Sequence, residues 1–518
     1  MLAAGEGVSP QLGASPAWPS GKMPQESGRI NLFNQIRVPA DQAEEFSIRE
    51  KSYSAYVRDR WQVGHKLTLS YGLRADYFKF PRRAGTGVEF YNAQSNTMVI
   101  CGVGPTPDDC GITRDRLHFT PRVGLAYRLT DSTVIRAGYS MVADPIFFEG
   151  HSQSGRENFP YSFAQLILPP NSLSYALTLR QGLPAVPTPN LSTGAVPIPG
   201  FASAETYDNA NYVRGYIQTW NFTVEQRIKA WVASAGYVGT RYVGAQSNLQ
   251  MNWSPIGGGA AGQILNQMNG RTASTLYMGT MGTNTYDGLQ VRVQGRLRDG
   301  YQVGLTYAFS KSLGYATSAP VQIPQYWQLN RGPQATDIAH SLAAMSIAEL
   351  PFGKGKRWAR TGVASKVAGE WQISALVTAH SGPPFTAGAS SATLNAPYSS
   401  QFADCISAPQ QLGSILQWYS KSAFGVPSSG RFGTCGTNSL RGPGLFNVDL
   451  GLQRKFNISE RLQLSFRAEM FNVANTPHHA ISSTSVNSGT FLQAFNIANT
   501  GREGIEQRAA RLALRLSW

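Results

Sequence analysis

The stretch KLTLSYGLRADYF, residues 66–78, alternates polar and apolar residues without interruption. Leucine, alanine and tyrosine occupy the odd-numbered positions from Leu67 to Tyr77, and polar residues or glycine occupy the even-numbered ones from Lys66 to Asp76. Because successive side chains of a β-strand point to opposite faces of the sheet, a period of two predicts a strand with one apolar and one polar face. This strand is about twice as long as the average strand of roughly 5–6 residues, and it is long enough for a tilted membrane crossing.

The same alternation recurs along the chain and predicts thirteen strands. Segments such as LQVRVQGRL (289–297) and RLQLSFRAEM (461–470) repeat it clearly, whereas the two faces of 338–350 differ little. The predicted strands span residues 51–61, 66–78, 115–129, 133–142, 214–228, 231–242, 285–297, 301–312, 338–350, 369–380, 444–458, 461–473 and 506–518.

The connections between these strands are alternately short and long. The short ones hold a few residues, as in TDS (130–132) and KA (229–230), except for 351–368, PFGKGKRWARTGVASKVA. Short turns at one end of a sheet and long loops at the other are typical of outer-membrane barrels, whose turns are periplasmic and whose loops are extracellular. The long connections, rich in Gly, Ser, Pro and Asn, span 79–114, 143–213, 243–284, 313–337, 381–443 and 474–505.

Aromatic residues stand at the ends of the predicted strands, on the parity of the apolar face. Such placement predicts two girdles at the two membrane interfaces, which we favour over the ordinary preference of aromatics for strands. Beside the short turns or at the last residue lie Trp61, Tyr127, Trp231, Tyr301, Trp371, Phe456 and Trp518, and near the long loops lie Tyr77, Tyr139, Tyr237 and Phe309.

The composition excludes a helical membrane protein. Charged residues make up 14% of the chain and aromatic residues 11%, yet no apolar run approaches the roughly 18 residues of a transmembrane helix. The other structure that satisfies its backbone in lipid is a closed β-barrel. We therefore predict an all-β fold, a transmembrane antiparallel β-barrel, in the outer membrane of a Gram-negative-type bacterium, in contact with membrane lipid and lipopolysaccharide. A soluble propeller would show a regular repeat, which the irregular strand spacing lacks.

The face opposite the apolar one is polar and strongly basic, which suits a water-filled or protein-filled lumen and not lipid. Two interpretations stay open: a pathway for an anionic ligand, or salt bridges between neighbouring strands and to a plug, which we favour. The candidate lumen-facing residues are Arg74, Asp76, Arg116, Arg122, Arg292, Arg296, Arg467, Glu469, Arg511 and Arg515.

Motifs of enzymatic chemistry are absent from the sequence, which has no G-x-S-x-G, HExxH, P-loop or EF-hand pattern. We therefore predict no enzyme activity, no cofactor and no metal. His478 and His479 lie on a predicted loop, where we expect a solvated pair, and Asp108 and Asp109 give only a weak indication of Ca²⁺. The net charge of +15 is spread along the chain without a nucleic-acid-binding module, so no nucleic-acid partner is expected.

The four cysteines fall in two predicted loops, Cys101 with Cys110 and Cys405 with Cys435. No CxxC spacing indicates zinc. In an oxidising compartment each pair could form a disulfide, Cys101–Cys110 and Cys405–Cys435, and the sequence leaves both bond formation and pairing open.

SYSAYVRDRWQVGHKLTLSYGLRADYF (52–78) resembles a strand–turn–strand unit of TonB-dependent outer-membrane receptors, particularly the Oar-like branch. Further resemblance, covering most of 50–518, lies in QTWNFTVEQRI, SAGYVGTR, YDGLQVRVQGRL, AELPFGKGKRW, SGPPFTAG and DLGLQRKFNISERLQLSFRAEMFNVANTPHH. The end, ARLALRLSW, resembles the barrel-assembly signal, in which alternating apolar residues end in an aromatic: Leu512, Leu514, Leu516 and Trp518.

The resemblance implies a 22-stranded barrel closed by an N-terminal plug, which binds a scarce or bulky ligand outside and imports it with energy delivered by TonB. It also implies the TonB complex and the barrel-assembly machinery as partners. The sequence shows no plug, TonB box or signal peptide. We therefore expect about 13–14 of the 22 strands: 46–518 as the C-terminal portion of the barrel, 1–45 as an irregular remnant of an extracellular loop, and the whole as a fragment or truncated reading frame.

Two alternatives to this function remain. One is a self-contained porin-like or adhesin barrel of about fourteen strands without TonB coupling, which needs one more strand from 28–40. The other is a secreted soluble β-protein. A plug and a signal peptide encoded in frame upstream would favour the transporter.

Overall fold

One large antiparallel sheet dominates the computed structural model of the chain. The structure describes residues 36–41, 48–83, 87–112, 117–144, 159–167, 189–200, 202–207, 212–296, 300–315, 323–459, 461–498 and 507–518. Each strand of the sheet pairs antiparallel with the next along the chain. In chain order they are β1 (Ser52–Val63), β2 (Leu67–Phe78), β3 (Leu117–Arg128), β4 (Thr133–Ala143), β5 (Tyr216–Ile228), β6 (Trp231–Gln250), β7 (Thr275–Arg296), β8 (Gln302–Gly314), β9 (His340–Glu349), β10 (Trp371–His380), β11 (Leu445–Asn457), β12 (Gln463–Phe471) and β13 (Ala509–Ser517).

These strands confirm the thirteen predicted from the alternation, with one large difference in their bounds. The β6–β7 hairpin continues to Gln250 and resumes at Thr275, so the predicted loop 243–284 is wrong over both of these extensions. The register of the hairpin shifts around Ala245, which has no exposed surface. The two extensions do not alternate strictly. They lie beyond the apolar band, where neither face of the strand contacts lipid and neither face must therefore be apolar.

Short strands build the long loops into ordered structure that the sequence did not predict. Ile36–Asp41 pairs with Ser162–Ile167, so this part of the expected irregular segment 1–45 is a strand, and the other residues of that segment lie outside the described ranges. The other pairs are Ile48–Arg49 with Arg82–Arg83, Thr97–Ile100 with Glu89–Asn92 and with Ala195–Pro197, Pro384–Phe385 with Leu440–Arg441, Gly388–Ala389 with Gln401–Phe402, Asp404–Cys405 with Phe424–Gly425, Gln411–Ser414 with Gln417–Tyr419, and His479–Ala480 with Asn496–Ile497. Two more extend the large sheet: Ala204–Thr206 runs parallel to β7, and Gly332–Pro333 pairs with β8.

Helices are short in the described part of the chain. The α-helices are α1 (Ile264–Asn269) and α2 (Gly362–Ala368). Single 3₁₀ turns occur at Leu191–Thr193, Ala260–Gly262, Trp327–Asn330, Ser391–Thr393 and Lys421–Ala423. Among the described residues, no helix has both the length and the apolar character needed to cross a membrane.

The buried hydrophobic clusters lie in the long connections, and among the described residues β1–β13 contribute only Ala143, Ala245, Met278 and Leu445 to the buried hydrophobic side chains. Three clusters of buried residues are centred on Met98, on Val88 and on Phe491, and every buried member of them lies outside β1–β13. By contrast, Leu512 and Leu514 of β13 are 77% and 70% exposed. A chain that buries apolar side chains in its loops and exposes them on its sheet has the pattern of a membrane sheet, because lipid and not protein covers that face.

The sheet has two free edges within the described residues. There β1 pairs only with β2, and β13 pairs only with β12. Backbone groups along both edges therefore have no strand partner within the described residues.

Candidate functional site

The observed register aligns the apolar residues of neighbouring strands on one face. Leu69 of β2 stands opposite Leu125 of β3, and Val291 of β7 stands opposite Tyr307 of β8. Since side chains alternate along each strand, the other apolar residues of these paired strands also fall on this face. A shift of the register by one residue would move them all to the opposite face. We call this surface the apolar face, and the opposite surface of the sheet the polar face.

A hydrogen-bonded group on the polar face joins three strands. Asp76 is 6% exposed, and its Oδ1 accepts hydrogen bonds from Ser54 Oγ at 2.7 Å and Arg74 Nε at 2.7 Å. Thr120 Oγ1 donates to the other carboxylate oxygen at 3.4 Å, and Arg74 Nη2 reaches Ser54 Oγ at 2.7 Å. The Arg74–Asp76 ion pair therefore ties β1, β2 and β3 together on the polar face.

The other candidate lumen-facing residues within the described ranges also lie on the polar face, but they do not form one cluster. Arg467 Nη2 lies 2.5 Å from Glu469 Oε1 along β12, and Arg511 stands opposite Glu469 in the β12–β13 register. Arg116 lies outside the described residues. The remaining candidates are exposed and separated along the sheet: Arg122, Arg292, Arg296 and Arg515.

A pocket opens on the polar face near the long-loop end of β7, β8 and β9. Its volume is about 350 Å³. Four hydroxyl groups, one phenol and one carboxylate are present in its lining, so the pocket offers both donors and acceptors to a polar ligand. The lining residues are Tyr286, Ala308, Ser310, Ser312, Thr336, Asp337, Ile338 and Ser341.

Asp337 is the carboxylate of this pocket, and an arginine from a distant loop neutralises it. Asp337 is 2% exposed; Arg441 forms an ion pair with its carboxylate and donates from Nη1 to its carbonyl oxygen at 2.8 Å. The backbone N–H of Ser312 donates to Asp337 Oδ1 at 2.6 Å. The pair fixes the 381–444 connection beside the end of β8. Ser310 Oγ donates to the carbonyl oxygen of Ile338 at 3.0 Å, so the remaining hydroxyl groups of the pocket wall are those of Tyr286, Ser312, Thr336 and Ser341.

The clusters around Met98 and Val88 make up the first loop assembly, built from described residues of the β2–β3, β4–β5 and β6–β7 connections, and the cluster around Phe491 makes up the second, built from the β10–β11 and β12–β13 connections. The first loop assembly is organised around a buried arginine. Arg271 has no exposed surface and donates hydrogen bonds to the carbonyl oxygens of Pro199, at 3.1 Å, and Ala202, and to Thr275 Oγ1 at 3.0 Å. Its guanidinium lies 5.1 Å from the ring centre of Tyr91. Burial lowers the pKa of Arg271 from its ordinary value. Several connections thus converge on one cation at the end of the sheet.

Disulfides close both loop assemblies. Cys101 is bonded to Cys110 and Cys405 to Cys435, with Cα–Cα distances of 5.0 Å in each. All four sulfur atoms belong to residues that pack in or against the buried clusters.

The two loop assemblies also contact each other. Backbone N–H groups of Gly257 and Gly259 donate to the carbonyl oxygens of Leu394 at 2.8 Å and Asn395 at 2.7 Å. Tyr398 donates from its hydroxyl to the carbonyl oxygen of Thr272 at 2.9 Å. The loops therefore form a continuous cap along the ends of the strands.

The histidine pair does not match its expectation. His478 is 2% exposed, and its Nε2 donates to the carbonyl oxygen of Phe446 at 2.9 Å, so the prediction of a solvated pair is wrong for this residue. Asp108 forms an ion pair with Arg82 at 2.8 Å. Within the ranges that the structure describes, no group of three His, Cys, Asp or Glu residues is placed to hold a metal.

Sequence reasoning missed the residues that hold the cap together. Arg271, Asp337 and Arg441 lie in long connections that show no periodicity. A charged residue in such a loop resembles any solvated residue until its tertiary partners are known. In these long connections, only the two cysteine pairs indicated ordered loop structure in the sequence.

The apolar face, the polar face and the cap define a membrane β-sheet protein with a folded loop region. A family model described as "Outer membrane beta barrel domain" matches residues 30–504. The chain therefore belongs to the outer-membrane β-barrel domain family, and its location is the outer membrane. No curated protein matches the chain.

Solved structures with a similar strand arrangement share little sequence with it. The ferripyoverdine receptor of Pseudomonas aeruginosa aligns over 92% of this chain and 39% of its own, with 11% identity and a TM-score of 0.43. The FrpB iron transporter of Neisseria meningitidis (F3-3 variant) aligns over 92% and 46%, with 11% identity and a TM-score of 0.44. The copper transporter OprC aligns over 91% and 49%, with 11% identity and a TM-score of 0.42. The chain thus spans less than half the length of each of these proteins.

Proposed function

We propose that this chain forms part of the barrel wall and the ligand-contacting loops of a TonB-dependent outer-membrane receptor of the Oar-like branch. The receptor binds a scarce or bulky ligand on the cell surface and imports it with energy delivered by TonB. In this proposal residues 46–518 are the C-terminal portion of the barrel, and the further strands pair with the edges of β1 and β13.

The observation that carries the proposal is the separation of the two kinds of apolar surface. The sheet exposes its apolar face, as in Leu514, whereas the loops bury their own apolar residues, as in Leu492, in a disulfide-closed cap. A cap with its own core presents a shaped surface at one end of the wall, which is what ligand recognition requires.

The proposed orientation of the sheet in the membrane rests on the difference between its long-loop end and its short-turn end. We place the long-loop cap outside the cell and the short turns in the periplasm, where TonB acts. The polar face then lines the lumen, with Arg74, Arg122 and Arg467 among its cations. Membrane lipid and lipopolysaccharide contact the apolar face, and the C-terminal residues Leu512 to Trp518 are the segment presented to the barrel-assembly machinery.

The pocket beside Asp337 is the proposed first contact for a polar part of the ligand. Its hydroxyl groups line the long-loop end of β7, β8 and β9, next to the Asp337–Arg441 ion pair that joins the wall to the cap. Because Arg441 already neutralises Asp337, the pocket favours an uncharged group rich in hydrogen bonds, and the more distant arginines favour any anionic part.

Depletion of nutrients from the medium tests the proposal. The source bacterium, a strain lacking the gene and a strain lacking TonB activity are grown in the same complex medium, and the spent media are compared by mass spectrometry. We expect at least one compound to be removed by the parent and left by both mutants, with restoration by the complete gene. A compound whose uptake needs this gene but not TonB would contradict the coupling and favour the porin-like alternative.

A further inference from the structure

The β9–β10 connection, residues 350–370, is the long member of the short-turn set, and it is strongly basic. It contains five cations and one carboxylate, Glu370. Lys356 forms an ion pair with Glu349 at 2.7 Å. The other cations are exposed: Lys354, Arg357, Arg360 and Lys366. A turn that only had to reverse the chain would need neither this length nor this charge.

The helix of this connection is fastened to the apolar face of the sheet. Trp371 Nε1 donates to the carbonyl oxygen of Val367 at 3.0 Å, and the Arg454 guanidinium donates to the carbonyl oxygens of Lys366 and Val367. Trp371 and Arg454 stand opposite each other in the β10–β11 register, on the same face as Leu452. Helix α2 therefore lies at the short-turn rim of the surface that faces lipid.

Arg454 explains why the helix is placed there. It interrupts the apolar face, yet it is only 6% exposed, because the last carbonyls of α2 cover it and the ring of Phe456 lies 4.2 Å from its guanidinium carbon. Cations are favourable at a helix C-terminus and over an aromatic ring, and both effects are larger away from water. The arginine thus holds the helix, and the helix shields the arginine from lipid.

The connection also exposes large apolar side chains between its cations. Val363 is 76% exposed, Val367 63% and Trp358 49%. Trp358 packs against Phe352 with ring centres 5.6 Å apart, and Arg357 lies 5.0 Å from the Trp358 ring centre. Exposed valines beside cations and a tryptophan are the combination that stabilises a segment in the interface between acyl chains and headgroups.

We propose that residues 351–369 form a binding site for an anionic phospholipid in the membrane leaflet at the short-turn end of the barrel. Its phosphate is bound by Lys354, Arg357 and Arg360, and its acyl chains cover Val363 and Val367. The lipid source follows from position, because the site is continuous with the lipid-facing surface. That this leaflet is the periplasmic one rests on the orientation given in the proposed function. The lipid site itself does not depend on TonB coupling.

Lipid titration observed by native mass spectrometry tests the site. The full chain is produced in an outer membrane, extracted, stripped of lipid in a neutral detergent and titrated with phosphatidylglycerol or phosphatidylcholine. The test variant is Lys354→Gln/Arg357→Gln/Arg360→Gln. The matched control removes as many exposed cations from the polar face, Arg122→Gln/Arg296→Gln/Arg515→Gln.

We expect phosphatidylglycerol to bind in preference to phosphatidylcholine, and the test variant to bind it about a hundredfold more weakly, because each interfacial cation contributes a factor of several. The control variant should bind like the parent, and so should Lys354→Arg/Arg357→Lys/Arg360→Lys, which keeps the charge. Equal affinity for both lipids, or equal loss in test and control variants, would overturn the proposal. So would displacement of the lipid by millimolar inorganic phosphate.

A measurement on the unaltered chain needs no variant. Phosphatidylglycerol should slow amide hydrogen exchange in α2 and in residues 354–360, and it should leave the turn at Gly64 unchanged. Protection of both turns alike would show general insertion into lipid and not a site. Loss of ligand uptake in the cell would not affect either result, so the two proposals fail separately.

Discussion

Arg271 is a cation without solvent-exposed surface, so its stabilising effect depends on the carbonyl oxygens that surround it. We predict that Arg271→Met weakens the first loop assembly by about 2–3 kcal/mol, because the buried carbonyl of Ala202 loses its charged donor and the carbonyl of Pro199 keeps only the backbone N–H of Ala202. Hydrogen exchange of residues 196–206 should accelerate accordingly. Arg271→Lys, which keeps the charge without the planar fork, should give an intermediate effect. Unchanged exchange in Arg271→Met would show that the guanidinium does not hold the assembly together.

Asp404 gives the second loop assembly a pH dependence. Hydrogen bonds from the Arg431 guanidinium, at 2.8 and 2.5 Å, hold the pKa of Asp404 below its ordinary value. Since the folded pKa is the lower one, the stabilisation is complete above the unfolded pKa of about 3.9 and is lost as the pH falls through the folded pKa.

We predict that protease cleavage within residues 401–435 accelerates below about pH 4 in the parent protein, as measured with an acid-stable protease. Asp404→Asn should cleave faster at pH 6 and lose most of this pH dependence. Glu370→Gln, an exposed carboxylate outside this loop, is the control and should behave like the parent. A parent and an Asp404→Asn variant with the same pH profile would contradict the assignment.

At the scale of single elements, α2 shows how a helix of seven residues persists at a sheet rim. Such a helix is unstable alone, so its tertiary contacts must supply the stability. We predict that Arg454→Leu raises the exchange rate of the α2 amides by about tenfold, since a charge-assisted bond at a helix C-terminus contributes about 1–2 kcal/mol. Lys455→Leu, the next residue on the polar face, should leave α2 unchanged. Equal exchange in both variants would show that α2 does not depend on Arg454.

The same elements separate what a sequence can predict from what it cannot. β2 was predictable because lipid on one side and polar surroundings on the other demand alternation at every position from Leu67 to Tyr77. The extension of β6 to Gln250 was not, because it lies beyond the lipid and carries no such demand. Helix α2 could not be predicted from the sequence for a different reason. Its stability comes from Trp371 and Arg454, which belong to other elements.

At the scale of the whole molecule, the two kinds of apolar surface have different solvents. Leu492 is fully buried in a loop cluster, whereas Leu514 on the sheet is 70% exposed. Water-exposed apolar area of that extent would drive aggregation, so the sheet requires lipid. The loop clusters are covered by protein, whereas the apolar face of the sheet is covered by lipid.

Adjacent positions on one strand test this assignment of faces most directly. Val291 on the apolar face and Gln290 on the polar face lie near the middle of the membrane-facing part of β7, opposite Tyr307 and Ala308 of β8. We predict that Val291→Arg lowers the free energy of unfolding in a bilayer by about 2–4 kcal/mol, whereas Gln290→Arg changes it by less than about 1 kcal/mol. The measurement is the amount of heat-modifiable, folded protein in outer membranes, followed by denaturant titration of each variant in lipid. The reverse order of the two effects would place Gln290 toward lipid and reverse the two faces.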